Sequence, residues 1–196
     1  MKNFISKNED VRLRMRHPLY TECSKMLRDG TIDFALFTMC KKEDDINIIK
    51  LYNEKLVFLC TPGSTYKNNM HVDELPVERE IYIGRWNENG YNVEFVNWHK
   101  KHFGKGYPMI ETVIVPVIGQ YFTEPNVWGI FPISIAAPYL AQGVVEKREI
   151  RGIPSYRPMS LLTLKNKELS EETQLFLEEM RSTLSENPGF EYLGKP

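Results

Sequence analysis

His99 and His102 are the residues with the clearest capacity to bind a metal, because they lie three positions apart beside Trp98 in a segment predicted to be helical. A protein metal site needs at least a third ligand of suitable type. No third donor that would complete such a site is evident nearby. We therefore interpret the two histidines as a surface or half-buried pair and predict no metal.

Catalytic signatures are also missing from the sequence. It contains no G-x-S-x-G, H-E-x-x-H or G-x-G-x-x-G motif and no Walker loop. The adjacent acids Glu43, Asp44 and Asp45 lie in a polar loop, without the apolar pocket that raises the pKa of a catalytic carboxyl. We interpret these acids as solvated and predict a protein that is not an enzyme and carries no cofactor.

The three cysteines, Cys23, Cys40 and Cys60, form an odd set without a C-x-x-C pair. Cys40 and Cys60 lie near predicted strand ends, where a thiol switch is one alternative. Buried, unreactive thiols are the preferred interpretation, because no basic motif adjoins them. These features fit a reducing cytosol. The polar start of the sequence does not resemble a signal peptide, and no run approaches the ~18 apolar residues of a membrane span, so we predict a cytoplasmic protein without membrane contact.

The charges of the 196-residue chain nearly balance, since 25 basic and 26 acidic residues give a net charge of -1. Such a chain has no overall field that attracts nucleic acid. We therefore do not expect it to bind DNA by itself. Its length is sufficient to bury a core, either as one domain or as two small lobes.

A helix end, a glycine and a strand follow one another between Leu27 and Phe37. Gly30 is expected to take the left-handed conformation that ends many helices. The apolar run from Ile32 to Phe37 predicts a strand that is buried on both faces. A helix that leads into such a strand indicates an α/β fold with a parallel sheet and helices on either side.

The remaining elements follow from local patterns. Alternation predicts a strand at residues 11–16, and helical spacing predicts helices from Pro18 to Asp29, from Val93 to Phe103 with Asn92 as its cap, and after the N-cap Ser170. Two extended segments are predicted after Ile46, the second of them the fully apolar run Leu56–Cys60. Further strands are predicted at residues 81–83, 110–117, 144–150 and 159–164.

One of these segments carries a resemblance to a known family. Leu27, Gly30, Ile32 and Asp33 resemble the "L, two residues, G, x, hydrophobic, D" signature of the effector-binding domain of LysR-type transcriptional regulators. The signature alone is short, so the rest of the chain has to support it.

A second segment adds to the resemblance. Gly129, Pro132, Leu140 and Gly143 resemble the family's "G, three apolar residues, P, helix, L, x, x, G" segment. The family usually has glycines five and seven residues before that proline, where this chain has Val127 and Pro125. We therefore expect the preceding helix to be short or distorted. The resemblance covers about residues 4–185.

The resemblance implies two Rossmann-like lobes joined by two crossover strands, a type 2 periplasmic-binding-protein-like fold. The implied division is 1–58 for the first part of lobe I, 59–157 for lobe II, 158–187 for the return strand and C-terminal helix of lobe I, and 188–196 for a tail. The family's opening strand has no counterpart before Phe4. We expect the resulting gap beside the strand at Val11 to be filled by a partner or a terminal segment, or the true start of the chain to have been lost.

Parallel α/β sheets bind ligands at the carboxyl ends of their strands. On this rule the candidate ligand-binding residues surround a cleft between the lobes. They are His17, Pro18, Leu19, Tyr20, Thr38, Cys40, Pro116, Val117, Ile118 and Gly119. The amides at the start of the helix after Pro18 suit a small carboxylate, because they carry the positive end of the helix dipole.

The resemblance implies an effector-sensing domain of a LysR-type regulator. The implied partners are a small-molecule effector, with a carboxylate as the candidate class, further copies in a homodimer or tetramer, and DNA only through a winged helix-turn-helix domain that this sequence lacks. The alternatives are a solute-binding protein of the same two-lobe fold, which an upstream signal sequence would favour, and a two-lobe enzyme, which requires an acid and a base that converge in the cleft.

Overall fold

The computed structural model describes residues 2–16, 18, 20–38, 42–83, 93–112 and 115–193. The helices are α1 (Lys2–Lys7), α2 (Tyr20–Arg28), α3 (Val93–Phe103), α4 (Ile133–Ala141) and α5 (Glu171–Ser185), with 3-10 helices at Val72–Glu74, Val77–Arg79 and Val115–Thr123. The strands are β1 (Ala35–Phe37), β2 (Ile46–Cys60), β3 (Ile81–Ile83), β4 (Ile110–Thr112), β5 (Trp128–Pro132), β6 (Glu146–Arg148), β7 (Tyr156–Leu164) and β8 (Phe190–Tyr192). No helix in these ranges is long and apolar enough to cross a membrane.

The chain divides into two compact units. Unit 1 comprises Met1–Asn53 with Pro158–Pro196, and unit 2 comprises Glu54–Arg157. The strands β2 and β7 each have residues in both units, so the chain leaves unit 1 through β2 and returns to it through β7. This is a two-crossover path of the kind that the family resemblance implies.

In unit 1, β1 pairs with β7 in antiparallel register, with Ala35 opposite Leu162. The prediction of a parallel sheet around β1 is therefore wrong for this pairing, which is antiparallel. The reason is the path of the chain, because β7 returns from unit 2 and lies beside β1. Helix α5 contributes Leu177 to the buried cluster of this unit, together with Leu51 and Leu161. The β8 strand, which the sequence did not predict, pairs with β2.

The helix-to-strand turn of unit 1 forms as predicted. Gly30 has φ +74°, the left-handed conformation that favours glycine at a helix end. Cys23 and Leu27 are buried on the inner face of α2. The strand is shorter than the apolar run, since it begins only at Ala35.

The alternating segment 11–16 does not form the predicted strand. Its arginines are exposed and Val11 is half-buried, as the alternation indicates, but Met15 is exposed. A strand also needs a neighbouring strand to pair its backbone groups, and alternation alone does not supply one. The gap expected between a strand at Val11 and the strand after Ile32 therefore does not arise.

In unit 2, β2 lies between β5 and β6, and both pairings are antiparallel. The strands β3 and β4 pair in parallel, and Glu80 forms a parallel bridge with Trp128 at the start of β5. The side chains of Phe58 and Trp128 stack in the core, with ring centroids 5.6 Å apart. Helix α3 has the bounds predicted from its apolar spacing. The proposed cap Asn92 lies outside the described residues.

The predicted strand 110–117 is wrong in its second half. The strand β4 ends at Thr112, and residues 115–123 form a 3-10 helix. Pro116 explains part of this change, because proline has no amide hydrogen to donate to a strand partner. The expectation of a short or distorted helix before β5 is confirmed.

Helix α5 begins as the sequence predicts. The Oγ of Ser170 accepts a hydrogen bond from the amide of Thr173 at 3.3 Å. This bond satisfies one of the free amides of the first turn. The buried Leu177 and the half-buried Phe176, Met180 and Leu184 form the predicted apolar side of the helix.

Candidate functional site

Unit 2 contains a small cavity of about 50 Å³. Side chains from β2, β3, α3 and β5 line it, and nearly all of them are apolar or aromatic, including Leu56, Tyr82 and Phe95. Its two charged lining residues are Glu80 and Arg157. An apolar pocket with a few placed polar groups is the usual form of a small-molecule site.

Glu54 is the partner of the lining residue Arg157 and also contacts the start of α4. Its Oε1 accepts a hydrogen bond from the amide of Ser134 at 3.0 Å, in the first turn of that helix. Pro132 at the N-cap position has no side-chain acceptor of its own. The carboxylate of Glu54 therefore satisfies a free amide and lies at the positive end of the helix dipole.

Arg157 holds the same carboxylate from the other side. Its Nε and Nη2 donate to Glu54 Oε2 at 2.8 and 2.6 Å. The Glu54 side chain is 1% exposed and the Arg157 side chain 27% exposed. Charge-assisted bonds of this kind compensate for the cost of burying the carboxylate. The pair joins the first residue of unit 2, on β2, to its last residue, on β7.

Glu80 forms a second buried polar pair in unit 2. Its Oε2 lies 2.5 Å from Nε2 of His99, and the two side chains are 1% and 0% exposed. Burial raises the pKa of the Glu80 carboxyl above its usual value, while the hydrogen bond with His99 acts in the opposite direction. The interpretation of His99 and His102 as a surface or half-buried pair is thus wrong for His99. Its position on the inner face of α3, against β3, explains its burial.

His102 has a different partner. Its Nδ1 lies 2.5 Å from Oδ1 of Asp73, whose side chain is more than half exposed. This contact is the main reason why the pKa of Asp73 lies below its usual value, and His71 lowers it further. Within the ranges that the structure describes, no group of three or more His, Cys, Asp or Glu side chains is arranged to hold a metal.

Cys60 is buried in unit 2, and its Sγ lies 3.6 Å from the carbonyl oxygen of Glu146. Burial is the main cause of its raised thiol pKa. A thiol that is both buried and protonated is unreactive, which agrees with the preferred interpretation of this residue. Cys40 lies outside the described residues.

The predicted ligand-binding residues of unit 1 are described only in part. Pro18 precedes α2, Tyr20 is the first residue of that helix, and Thr38 directly follows β1. Helix α2 packs against β1. His17, Leu19 and Cys40 lie outside the described residues. Contact of these residues with a ligand stays a prediction.

Residues 116–119 follow β4 and form part of the 3-10 helix. Ile118 is buried in the core of unit 2 against residues such as Phe131. A Cβ at Gly119 would lie 2.8 Å from the Tyr139 ring, so this glycine permits close packing. Pro116, Ile118 and Gly119 are not among the described residues that line the cavity. Their contact with a ligand, and that of Val117, stays a prediction.

Sequence reasoning did not identify Glu54, Glu80 and Arg157. One signal in the sequence could have indicated such a residue, namely a charged side chain within a segment that is otherwise typical of a buried strand. A buried charge needs a partner, so such a residue is expected to form an ion pair. Glu54, two positions before the apolar run 56–60, shows this signal. Its partner is 103 positions away in the sequence, a distance over which local patterns carry no information.

A groove of about 380 Å³ lies in unit 1 between α1 and α5. Flexible polar side chains, including Lys7, Glu178 and Glu179, form much of its lining. Lys7 and Glu179 form an exposed ion pair there, with a separation of 3.5 Å. Exposed pairs of this kind contribute little to stability, and the groove lacks the buried polar groups of the unit 2 cavity.

Comparisons with known proteins identify the family. The sequence model of the LysR substrate binding domain matches residues 1–185. A search of curated proteins found no match. Among solved structures, the regulatory domain of NMB2055 (MetR), a LysR family regulator from N. meningitidis, has 16% identity and a TM-score of 0.68, with 98% of this chain and 89% of that chain covered.

Two further structures extend the comparison. The regulatory domain of Synechocystis PCC6803 CcmR, in complex with 2-PG, has 18% identity and a TM-score of 0.73, with 93% of this chain and 88% of that chain covered. A full-length BenM variant has 12% identity and a TM-score of 0.74, with 100% of this chain covered, but the chain spans only 64% of that protein. At these identities the structures establish the mixed α/β, type 2 periplasmic-binding-protein-like fold. Because the family model covers nearly the whole sequence, the chain belongs to the LysR substrate-binding domain family, the effector-sensing part of LysR-type transcriptional regulators and not an enzyme family.

Proposed function

We propose that the chain senses a small organic acid and passes the binding signal to DNA-binding domains of a LysR-type regulator. The observation that carries this proposal is the family match, which extends over residues 1–185. The cavity of unit 2, with its apolar lining and two charged side chains, gives this function a physical basis. The complex of the CcmR regulatory domain with 2-PG supports the use of this fold for small ligands.

The proposed contacts are those predicted from the sequence, with unit 1 and unit 2 as the two lobes. The acid is held by amides at the start of α2, where Pro18 and Tyr20 lie, since the positive end of the helix dipole favours an anion. Thr38, Cys40 and residues 116–119 complete the set. A dimer or tetramer in the cytoplasm, and DNA contact through a separate winged helix-turn-helix domain, belong to the same proposal.

The mechanism is a shift between two conformations of the domain. An effector changes such an equilibrium only by the difference between its affinities for the two states. The strands β2 and β7 are the connections through which a change in one unit reaches the other along the chain. The Glu54 and Arg157 pair joins these two strands beside the cavity.

A thermal-shift screen of small organic acids tests the proposal. An acid present at 100 times its Kd stabilises the folded state by about 2.7 kcal/mol. For a chain of this size that corresponds to an increase in Tm of roughly 5–11 °C. A panel without any stabilising acid contradicts the proposed ligand class.

A further inference from the structure

The segment 11–16 presents a cluster of positive charge on the surface of unit 1. Arg12, Arg14 and Arg16 are exposed, and Met15 between the last two is 74% exposed. Among the described residues, none of these arginines forms an ion pair with a carboxylate. A guanidinium group offers five N–H donors in a planar fork that fits a carboxylate. The segment therefore has the capacity to bind an acidic surface.

A surface of opposite charge lies on the same unit, in the groove between α1 and α5. Helix α5 carries four glutamates and one arginine. Glu171 and Glu172 lie in its first turn, where the helix dipole favours negative charge. Glu178 and Glu179 lie farther along the helix and line the groove, so the dipole does not account for them. Lys7 is the one cation among the described lining residues, and the groove is therefore acidic.

The groove also offers space and apolar surface to a partner. Its volume of about 380 Å³ is that of a cleft that accepts whole side chains. Leu175 in its lining is 48% exposed, and Ile5 on α1 is 46% exposed. Methionine is a flexible side chain that adapts to irregular apolar surfaces, so the exposed Met15 of the segment suits these residues. The two surfaces thus match in apolar character as well as in charge.

The groove and the segment are neighbours on unit 1. Helix α1 ends at Lys7, and the amide of Val11 donates to the carbonyl oxygen of Asn8 at 3.1 Å, directly after the helix. The chain between Lys7 and Val11 spans at most about 14 Å. Two complementary surfaces this close to each other can both meet their counterparts on a second copy around one two-fold axis, which closes a dimer.

We propose that two copies of this chain pair symmetrically, with the segment 11–16 of each copy on the α1–α5 groove of the other and its arginines bonded to Glu178 and Glu179. This inference rests on the dimer of the proposed function and names the surfaces that form it. A single exposed ion pair contributes little, but the symmetry doubles each contact, and burial of Met15 and Leu175 adds an apolar contribution. Because salt screens exposed charges, we expect the dimer Kd to rise about tenfold between about 0.05 and 0.5 M NaCl.

Charge reversal tests this pairing, with the dimer Kd of the full chain measured by analytical ultracentrifugation. The acidic-segment variant carries Arg12→Glu, Arg14→Glu and Arg16→Glu. The basic-groove variant carries Glu178→Arg and Glu179→Arg. Each variant places like charges on the two facing surfaces, so we expect its dimer Kd to be about 100-fold higher than that of the unmodified chain.

An equimolar mixture of the two variants distinguishes this pairing from a loss of structure or an effect of net charge. In a mixed dimer, one contact joins the new glutamates of the segment to the new arginines of the groove. The other contact joins the original arginines to the original glutamates. Both contacts are attractive, and we expect the mixed dimer to form with a Kd within about threefold of that of the unmodified chain.

Reversal of three exposed lysines in unit 2, in Lys100→Glu, Lys101→Glu and Lys105→Glu, is the matched control. It changes the net charge as much as the acidic-segment variant does, but on another surface. We expect it to leave the dimer Kd unchanged within about threefold.

The outcomes separate this inference from the proposed function. If the acidic-segment variant dimerises as tightly as the unmodified chain, or if the mixture stays monomeric, the inference is overturned while a dimer through another surface stands. If the unmodified chain is monomeric and binds heparin through the segment 11–16, the segment serves a polyanion and the inference is overturned. If a variant does not fold, the salt dependence of the unmodified dimer still decides, because an unchanged Kd at high salt contradicts the pairing. Effector sensing is tested separately by the thermal-shift screen.

Discussion

Replacement of Arg157 by methionine removes the cation that holds Glu54. The substitution keeps an unbranched chain of similar reach but eliminates both hydrogen bonds to Glu54 Oε2. The Glu54 side chain, only 1% exposed, then remains as a buried carboxylate. Its remaining contact is the amide of Ser134 at 3.0 Å from Oε1.

The loss of one partner from a buried ion pair typically costs about 3–5 kcal/mol. We expect the lower end, about 3 kcal/mol, because the Ser134 amide stays in place and water reaches the partly exposed position of Arg157. For a domain of 150–250 residues this loss lowers Tm by roughly 6–12 °C.

Urea denaturation followed by tryptophan fluorescence measures the effect directly. All three tryptophans of the sequence lie between residues 54 and 157, so their emission reports on unit 2. Removal of both partners in Glu54→Gln with Arg157→Met should recover much of the loss, because no buried charge remains.

The exposed pair between Lys147 and Glu149 in the same unit provides the control. Its atoms lie 2.6 Å apart, but the Glu149 side chain is mostly exposed. Lys147→Met should cost no more than about 1 kcal/mol. Equal destabilisation by Arg157→Met and Lys147→Met, or a double-mutant cycle without coupling between Glu54 and Arg157, would contradict this expectation.

Two further predictions concern stability. In Gly129→Ala, the new Cβ would lie 2.6 Å from the carbonyl oxygen of Ile81 and 2.5 Å from the Phe131 ring. We expect this crowding to lower the free energy of unfolding by about 1–3 kcal/mol, as measured by urea denaturation. An unchanged denaturation midpoint would contradict this expectation. The pKa of Asp73 lies below its usual value of 3.8, mainly because of the hydrogen bond with His102. Ionised Asp73 therefore stabilises the folded state at pH values above 3.8, and this stabilisation is lost as the pH falls through the lowered pKa. Asp73→Asn should therefore reduce the loss of stability between about pH 6 and about pH 3, and an equal loss in both proteins would rule out this role.

Local signals in the sequence predict the helices best. The bounds of α3 follow from its apolar spacing, and the start of α5 follows from Ser170, because a helix depends on contacts between residues three or four positions apart. The end of α2 at Gly30 is equally local, since it depends on the conformational freedom of one residue.

Strand pairing and the buried polar pairs are not local and were therefore missed. The segment 11–16 has the alternation of a strand but no partner strand among the described residues. Glu54 and Arg157 are far apart in the sequence and meet only because β2 and β7 come together. Glu80 and His99 lie 19 positions apart, and only the packing of α3 against β3 makes them a buried pair.

Calorimetric titration of the chain with the acid that stabilises it most in the thermal-shift screen tests the central claim, that this domain senses an effector. We expect saturable binding of one acid per chain. Heats that do not saturate, or that stay the same for every acid in the panel, contradict it.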